Sequence, residues 1–349
     1  MIKIPRDYDS LLITHLPNVR YLTGFSGSAG CVLITRAKKL FFTDFRYQAQ
    51  AKREVRRFDV HIVPAAALAG ACGYAVKRRL KLGIVGYEAA HLNQRSFLEV
   101  KKILKGTSFK DSEGIVEKSR QIKSRTEISR IRKACALADL AMEKLRRTKV
   151  TGKTEKEIAW LLESAMRMAG SGALPFEIIV ASGPRSAMPH VVASGRVIRP
   201  DELVVVDLGA SVDGYCSDMT RTFTTGELSR RQAEIYRIVR EAQEVALEGA
   251  RPGVPCADLD GMARRRITEA GYGDAFGHSL GHGVGLEAHE GPVLAPRSKE
   301  ILRAGMTVTI EPGIYVERIG GVRIEDTILV GSTGPVRLTE FTRELTRLR

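Results

Sequence analysis

Residues 202–225 read ELVVVDLGASVDGYCSDMTRTFTT, two apolar runs rich in β-branched residues on either side of Asp213-Gly214. An Asp-Gly pair between two such runs is the strongest short-range signal for a β-hairpin with a two-residue loop. Because strand side chains alternate between faces and the loop fixes the register, Asp207 is expected opposite Thr220. The stretch therefore predicts an antiparallel hairpin with a defined register.

Two acidic residues share one face of this predicted hairpin. Asp218 is expected diagonally across from Asp207, on the same side of the two strands. Each stands in a strongly apolar strand context such as LVVVDLG. The alternative, that these acids only line an exposed edge, leaves the apolar setting unexplained. We therefore predict that the two carboxylates converge.

A second predicted hairpin repeats this feature near the end of the chain. The runs MTVTIEPGIYV and VRIEDTILV are joined near Gly320-Gly321. Glu311 follows the apolar run TVTI, and Glu325 follows VRI, with Arg323 on the same face two residues earlier. The two hairpins together supply four carboxylates.

Four carboxylates in a poorly solvated site need positive charge. Like charges brought together raise one another's pKa or require cations, and two divalent ions would balance the four negative charges. A site dominated by carboxylate oxygen suits manganese or cobalt better than structural zinc. The pattern thus predicts a dinuclear metal centre.

Four of the seven histidines lie in the second half of the chain, within two short motifs. His190 ends SGPRSAMPH, and GHSLGHGVGLEAHEGP contains His278, His282 and His289. His282 stands between Gly281 and Gly283, where a bare backbone lets other groups approach closely. Histidines this close together in a loop too irregular for one helix face indicate a site more than packing.

The N-terminal part of the chain alternates predicted strands with helical patterns. LLIT, CVLIT, KLFFT, DVHIV and KLGIVGYE are typical of strands. AQAKREVRRF and residues 92–104 have apolar residues at helical spacing. Residues 1–117 are therefore predicted to form an α/β domain.

Residues 118–349 are predicted to form a second domain of the α+β class. Three helices begin there with capping boxes, namely Ser124 with Glu127, Thr154 with Glu157, and Ser229 with Gln232. These helices frame strand pairs instead of a repeating βαβ array. We expect them to pack on a curved antiparallel sheet.

Length and composition are those of a globular protein with room for two domains. The chain has 349 residues, of which 44% are hydrophobic and 27% are charged. The start, MIKIPRDYDS, lacks the apolar core of a secretory signal, and no run approaches about eighteen apolar residues. We therefore expect a cytoplasmic protein with no membrane partner.

The net charge of +15 has no matching binding motif. The basic residues are spread along the chain without interleaved aromatics, which disfavours nucleic acid as a partner. Salt-dependent binding to duplex DNA would revive that alternative. The five cysteines are scattered and include no C-x-x-C pair, so buried thiols are expected.

Five segments resemble the pita-bread metallopeptidases, in particular the Xaa-Pro aminopeptidases and prolidases. They are SGPRSAMPH, VVVDLGASVDGYCSDMTRTF, GHSLGHGVGLEAHE, TIEPGIYV and GGVRIEDT, in the family's order and with similar gaps. NVRYLTGFSGSAG and FTDFRYQAQA also resemble the smaller domain of these enzymes. The resemblance implies a creatinase-like, ribonuclease H-like N-terminal domain followed by a pita-bread catalytic domain.

The resemblance also implies roles for individual residues. The positions that match the family's five metal ligands are Asp207, Asp218, His282, Glu311 and Glu325. In the family's scheme Asp218 and Glu325 bridge both ions, and Glu311 also shuttles a proton. The positions that match its substrate-contacting histidines and neighbouring arginine are His190, His278, His289 and Arg323. Tyr315 matches a position near the centre.

The implied activity is hydrolysis of the bond before a proline in second position, by a water molecule that two ions share and activate. Manganese is the expected metal, with cobalt or zinc as alternatives, and a homodimer is the expected assembly. Aminopeptidase P, which accepts long peptides, is preferred over prolidase, which accepts dipeptides, because no obvious loop insertion closes the groove. A non-catalytic binding module of the same fold is disfavoured because all five ligand positions are present.

Three positions depart from the family's pattern. Phe45 stands where glycine is frequent, Arg185 where asparagine is frequent, and Ala288 where a β-branched residue is usual. None of them is a predicted ligand. Arg185 and Ala288 are expected close to the pocket, where they would alter substrate preference.

Overall fold

The computed structural model of the protein describes residues 2–64 and 66–349. The chain divides into two compact units, Met1–Arg120 (unit 1) and Gln121–Arg349 (unit 2). The predicted boundary between residues 117 and 118 falls inside a helix, Ile115–Gln121, and stays a prediction.

Unit 1 is an α/β domain, as predicted. Its strands are β1 (Ser10–Ile13), β2 (Cys31–Thr35), β3 (Lys39–Asp44), β4 (Asp59–Val63), β5 (Ile84–Tyr87) and β6 (Ser108–Asp111). Its helices are α1 (Leu16–Thr23), α2 (Gln48–Glu54), α3 (Ala67–Lys77), α4 (Gln94–Ile103) and α5 (Ile115–Gln121). The strands form one mixed sheet in the order β4-β3-β2-β1-β5-β6.

Both faces of this sheet are covered. Along β1, Leu12 belongs to one buried apolar cluster, while its neighbours Leu11 and Ile13 belong to another. A strand buried on both faces shows a continuous apolar run instead of an alternating one, which is what SLLI and CVLI show.

Unit 2 combines antiparallel strand pairs with long helices. Its helices are α6 (Arg125–Arg146), α7 (Glu155–Met168), α8 (Arg230–Gly249) and α9 (Cys256–Glu269). Its strands are β7 (Ile179–Ser182), β8 (Leu203–Leu208), β9 (Ser211–Val212), β10 (Tyr215–Cys216), β11 (Met219–Thr224), β12 (Gly281–Gly283), β13 (Glu290–Leu294), β14 (Thr307–Ile310), β15 (Gly313–Val316), β16 (Gly320–Arg323), β17 (Asp326–Val330), β18 (Pro335–Arg337) and β19 (Thr346–Arg347).

The predicted hairpin register is confirmed. Asp207 of β8 lies opposite Thr220 of β11, and Tyr215 lies opposite Val212 across the Asp213-Gly214 loop. The sheet order is β19-β11-β8-β7, and the pairing of β19 with β11 is parallel, so this sheet is not wholly antiparallel. A five-stranded antiparallel sheet, β13-β12-β14-β17-β18, completes the main strand framework.

The predicted helix starts agree with the structure. Ser124, Thr154 and Ser229 each form a reciprocal capping box at the start of α6, α7 and α8. The sequence analysis missed α9, which follows Pro255 and has no side-chain cap hydrogen bond. That helix therefore lacks the local signal by which the others were found.

Two further predictions concern the whole chain. All five cysteines are buried, as expected. Within residues 2–64 and 66–349, no helix combines the length and the apolar character needed to cross a membrane.

Candidate metal centre

The five predicted ligands lie at neighbouring strand ends of unit 2. Asp207 lies in β8 and His282 in β12, whereas Asp218, Glu311 and Glu325 lie immediately beside the ends of β11, β14 and β17. Two backbone hydrogen bonds hold these ends together: Glu325 N donates to Thr220 O at 3.0 Å, and Glu311 N donates to Leu280 O at 2.8 Å. Residues far apart in sequence thus converge because the two main sheets of unit 2 meet at this point.

The converging side chains form overlapping groups with the spacing of metal ligands. In each group the potential ligand atoms lie within 4.8 Å of one another: Asp207, Asp218 and Glu325; His282, Glu311 and Glu325; and Asp218, His282 and His289. Asp218, His282 and Glu325 each belong to two of these groups. Such overlap is expected where neighbouring metal ions share a cluster of ligands.

Burial makes the central carboxylates electrostatically costly. Asp218 is 4% exposed and Glu325 is 1% exposed. Burial, followed by the charges of neighbouring carboxylates, raises the pKa of both groups well above its ordinary range. Such carboxylates are either protonated or paired with positive charge, and bound cations are one source of that charge.

His282 is oriented toward this cluster. Its Nδ1 lies 3.1 Å from Gly283 O, and its Nε2 lies 3.3 Å from Glu311 Oε1. Burial alone would lower the pKa of His282, but the hydrogen bond and charge of Glu311 outweigh burial and raise that pKa. A histidine whose second ring nitrogen is held by a backbone carbonyl presents the other nitrogen in one direction, as metal-binding histidines do.

The guanidinium of Arg323 is hydrogen bonded to other residues of unit 2. Its guanidinium donates to Asp207 Oδ2 at 2.6 Å, Tyr315 Oη at 2.8 Å and Thr220 Oγ1 at 3.1 Å. The other oxygen of Asp207, Oδ1, is buried and has no hydrogen-bond partner among the described residues. One carboxylate oxygen of Asp207 is therefore paired with Arg323, and the other oxygen is available to bind a cation.

These residues fit hard divalent ions. The clustered groups consist of carboxylates and imidazoles, with no thiolate among their members. Oxygen-rich sites with one or two imidazoles suit manganese, and also accept cobalt or zinc. The unpartnered Asp207 Oδ1 and the raised pKa values of Asp218 and Glu325 agree with this donor set.

One pocket of unit 2 is lined by all nine predicted site residues, that is, by the five predicted ligands and the four other predicted residues. They are His190, Asp207, Asp218, His278, His282, His289, Glu311, Arg323 and Glu325. The pocket has a volume of about 380 Å³. The structure brings the predicted residues together, and their individual roles stay predictions.

Two histidines stand beside the ligand cluster in different ways. His278 Nε2 lies 3.1 Å from Tyr315 Oη, and the ring of His289 lies 4.3 Å from that of His282. Burial lowers the pKa of both His278 and His289, so both rings are favoured in the neutral form. A neutral imidazole keeps one N–H donor and one acceptor, the two groups needed to stabilise developing charge or accept a proton.

Part of the pocket wall was missed by the sequence analysis. The remaining lining residues are Phe176, Glu177, Ile179, Pro189, Val191, Val192 and Ser279. Ile179 could have been found from strand pairing, since β7 places it opposite Asp207. Pro189 and Ser279 stand next to His190 and His278 in motifs that the sequence analysis singled out, whereas Phe176, Glu177, Val191 and Val192 lie in segments where the sequence offers no such signal.

A buried carboxylate fixes the loop that contains His190. Glu155, which is 0% exposed, accepts hydrogen bonds from the backbone N–H groups of Ser182 and Ser194 at 2.9 and 3.0 Å. It also accepts from Arg185 Nε at 3.0 Å, and Arg185 in turn donates to Val192 O at 2.7 Å. Arg185 thus supports the pocket wall at Val192 while pairing with Glu155.

Comparisons with known proteins agree with this geometry. Residues 129–332 match the model of metallopeptidase family M24, and residues 6–122 match the creatinase/prolidase N-terminal domain. An Xaa-Pro dipeptidase from Pyrococcus horikoshii is 43% identical over 343 residues, which cover 97% of this chain and 94% of the relative.

Two solved structures are also closely similar. An Xaa-Pro dipeptidase from Bacillus anthracis has a TM-score of 0.94 at 42% identity, covering 98% of this chain and 96% of the other. An X-Pro aminopeptidase from Thermotoga maritima has a TM-score of 0.90 at 36% identity, covering 98% of each. With its clustered carboxylates, its pita-bread fold and both family matches, this chain is an enzyme of metallopeptidase family M24 with a creatinase/prolidase N-terminal domain.

Proposed function

We propose that the protein is an Xaa-Pro dipeptidase that requires two divalent metal ions. The observation that supports the metal requirement most directly is that four carboxylates and His282 form overlapping groups, in each of which the potential ligand atoms lie within 4.8 Å of one another. The names of the P. horikoshii and B. anthracis relatives favour a dipeptidase. This proposal replaces the preference for aminopeptidase P that the absence of an obvious loop insertion suggested.

The proposed ligands divide between the two ions. Asp207, Asp218, His282, Glu311 and Glu325 would hold the two ions, with Asp218 and Glu325 as the ligands that the family resemblance assigns to both. Manganese is the first choice because carboxylate oxygens dominate the donor set, and cobalt or zinc are the alternatives. Three charge-balancing features support this assignment: the raised pKa of Asp218, the raised pKa of Glu325 and the unpartnered Asp207 Oδ1.

When bound, divalent ions supply an activated water molecule and polarise the scissile carbonyl. Glu311 accepts the proton of the attacking water and passes it toward the departing proline nitrogen. Glu311 is suited to this role because its carboxylate lies in the pocket wall beside His282 and Glu325. His289 is the proposed donor to the developing oxyanion, with His190 as the second choice.

Proline explains why a dedicated site is needed. The proline nitrogen carries no hydrogen, and its ring fixes the backbone dihedral angle. A peptidase that binds the N–H of the scissile bond cannot hold such a substrate. In this pocket, apolar wall residues such as Phe176, Ile179 and Val192 are suited to contact a pyrrolidine ring instead.

One observation favours aminopeptidase activity as a second candidate. A dipeptidase must neutralise the free carboxylate just beyond proline. Of the described residues, Arg323 is the one arginine or lysine in the pocket wall, and it is hydrogen bonded to Asp207. A peptide with a third residue would not place a carboxylate there.

Hydrolysis of matched peptides separates the two activities. With manganese present, kcat/KM for Ala-Pro should exceed that for Ala-Pro-Ala by about a hundredfold, or about 2.7 kcal/mol in transition-state binding. Ala-Ala serves as the control for proline recognition. Equal values for the two proline peptides, or a higher value for the tripeptide, would identify an aminopeptidase. Cleavage of Ala-Ala at the same rate would contradict the Xaa-Pro assignment.

Assembly and location are also proposed. We infer a homodimer and a cytoplasmic site of action, as the resemblance and the N-terminal sequence suggested. Sedimentation at working concentration tests the first, and fractionation of the source cells tests the second. A monomer, or an extracytoplasmic protein, would contradict the respective proposal.

A further inference from the structure

Two histidines of unit 1 lie together although they are far apart in sequence. The parallel neighbours β1 and β5 pair Leu12 with Tyr87, so the segments that follow these strands leave the same edge of the sheet. His15 follows β1, and His91 lies in the turn between β5 and α4. Their rings stack with centroids 3.5 Å apart and an interplanar angle of 9°.

A single buried glutamate fixes the backbone of both histidines. Glu88, which is 1% exposed, accepts a hydrogen bond from His15 N at 2.7 Å through its carboxylate. Its backbone carbonyl accepts from His91 N at 3.2 Å. The backbones of two separate segments, one carrying His15 and the other His91, are therefore both anchored to Glu88.

A second carboxylate faces the histidine pair. Glu117, from α5, has a carboxylate oxygen within 4.8 Å of ring nitrogens of both His15 and His91. Asn18, which is 0% exposed, donates to the carboxylates of Glu117 and Glu88 and accepts from Arg120 at 2.8 Å. Glu117 is thus oriented by a buried amide that is itself held by an arginine, as outer-shell residues orient the ligands of metal sites.

We propose that His15, His91 and Glu117 form a binding site for one divalent transition-metal ion such as Zn²⁺, additional to the M24 metal centre. Two imidazoles and one carboxylate are a common zinc ligand set, with water completing the coordination. In the stack the in-plane lone pairs of the two imidazoles run parallel, so one ion can be bound only if a ring turns out of the stack and the ligand atoms come to roughly 3–4 Å of one another. His91 is exposed, which leaves room for its ring to turn.

The ion would tie together three segments of unit 1: the turn after β1, the turn after β5, and α5. Its ligand set is richer in imidazole than the carboxylate cluster of unit 2, so it should prefer zinc or nickel to manganese. The donor sets thus predict that the two kinds of site can be filled by different metals.

Zinc content measures this site directly. The chelator-stripped full-length protein is dialysed against excess Zn²⁺ and its bound zinc is measured by elemental analysis. We expect about three ions per chain in the unmodified protein and about two in His91→Ala. His61→Ala is the matched control, since His61 is the remaining histidine of unit 1 and stacks on Phe42, and it should keep about three.

A second variant separates this inference from the proposed function. Asp207→Asn combined with Asp218→Asn removes the unit 2 centre, and this protein should still bind about one zinc ion, which is lost when His91→Ala is added. Equal zinc content with and without His91→Ala, in either background, would overturn the additional site. The hydrolysis of Ala-Pro by His91→Ala tests the M24 centre independently and should be unchanged.

Discussion

Glu325 and Asp326 are adjacent in sequence and almost completely buried, at 1% and 0% exposure, yet their surroundings are opposite. Asp326 accepts from Arg221 at 2.7 Å, Thr339 at 2.7 Å and Gln243 at 3.0 Å. Glu325 accepts from Thr220 at 2.6 Å and otherwise lies beside His282 and the carboxylates of Asp207, Asp218 and Glu311.

The pKa values of the two neighbouring carboxylates shift in opposite directions. Burial alone would raise the pKa of Asp326, but Arg221 and Arg337 lower it below its ordinary range. Burial and the charges of Glu311 and Asp207 raise the pKa of Glu325 well above its ordinary range. Asp326 is therefore a structural carboxylate paired with Arg221, whereas Glu325 lies where the proposed metal ions would supply the positive charge.

The largest expected effect is on activity, from Glu325→Gln. Loss of a carboxylate shared by two groups of ligands should reduce kcat/KM for the best Xaa-Pro substrate on the order of 10⁴-fold or more. Because burial and the neighbouring carboxylates already disfavour ionisation of Glu325 in the metal-free protein, an uncharged glutamine should not lower its stability. Steady-state kinetics, bound manganese and urea unfolding of the metal-free form measure this. Near-normal activity with full metal content would show that Glu325 is not a ligand.

Asp326→Asn should have the opposite effect, a loss of stability without a loss of metal binding. It leaves Arg221 without its buried counter-charge, which costs about 3–5 kcal/mol in the free energy of unfolding. Protein that remains folded should still bind metal, because the Asp326 carboxylate belongs to the network of Arg221 and not to the ligand groups. Urea unfolding and metal analysis test this. A variant as stable as the parent but depleted of metal would reverse the proposed distinction between the two neighbours.

His289→Ala should reduce kcat by about 10²- to 10³-fold, the effect of removing one donor to an oxyanion. His289 lies beside His282 but is not among the five proposed ligands, so the metal content should be nearly unchanged. Kinetics and elemental analysis on the same sample are needed. Loss of metal with normal turnover per remaining pair of ions would instead make His289 a ligand.

Glu155→Gln offers a smaller effect with a distinct pH dependence. Burial opposes ionisation of Glu155, but hydrogen bonds from Ser194 and Ser182 outweigh it and lower its pKa below the ordinary 4.5. The carboxylate therefore adds stability above about pH 4.5 that is lost as the pH falls through its folded pKa. At neutral pH the variant should lose about 1–3 kcal/mol, and the difference should shrink in acid.

A matched control lies on the same helix. Glu163 pairs with Arg167 at the surface of α7, so Glu163→Gln should cost no more than about 0.5 kcal/mol at any pH. An equal, pH-independent loss in both glutamate variants would show that Glu155 has no special role.

The hairpins and their register could be predicted because local chemistry determines them. Asp213-Gly214 fixes the loop, and alternation of side chains then places Asp207 opposite Thr220. The capping boxes likewise fix the starts of three helices. The ligand residues stand out in sequence because carboxylates in apolar strands need a chemical reason.

Other features depend on contacts that no local pattern reports. The parallel pairing of β19 with β11 joins residues more than a hundred positions apart. The engagement of Arg323 by Asp207, and the support of the His190 loop by Glu155, both depend on tertiary packing. The position of Arg323 on the face of Glu325 was predictable, but its main partner was not.

The proposed binding of two metal ions by Asp218, Glu325 and their neighbours is tested most directly by reconstitution. Chelator-stripped His91→Ala protein, in which the additional site is disabled, is titrated with Mn²⁺ while hydrolysis of Ala-Pro and Ala-Pro-Ala is followed. Activity should be absent without metal and should reach a plateau at about two ions per chain. Full activity of the metal-free protein, or a plateau at one ion, would contradict the dinuclear centre.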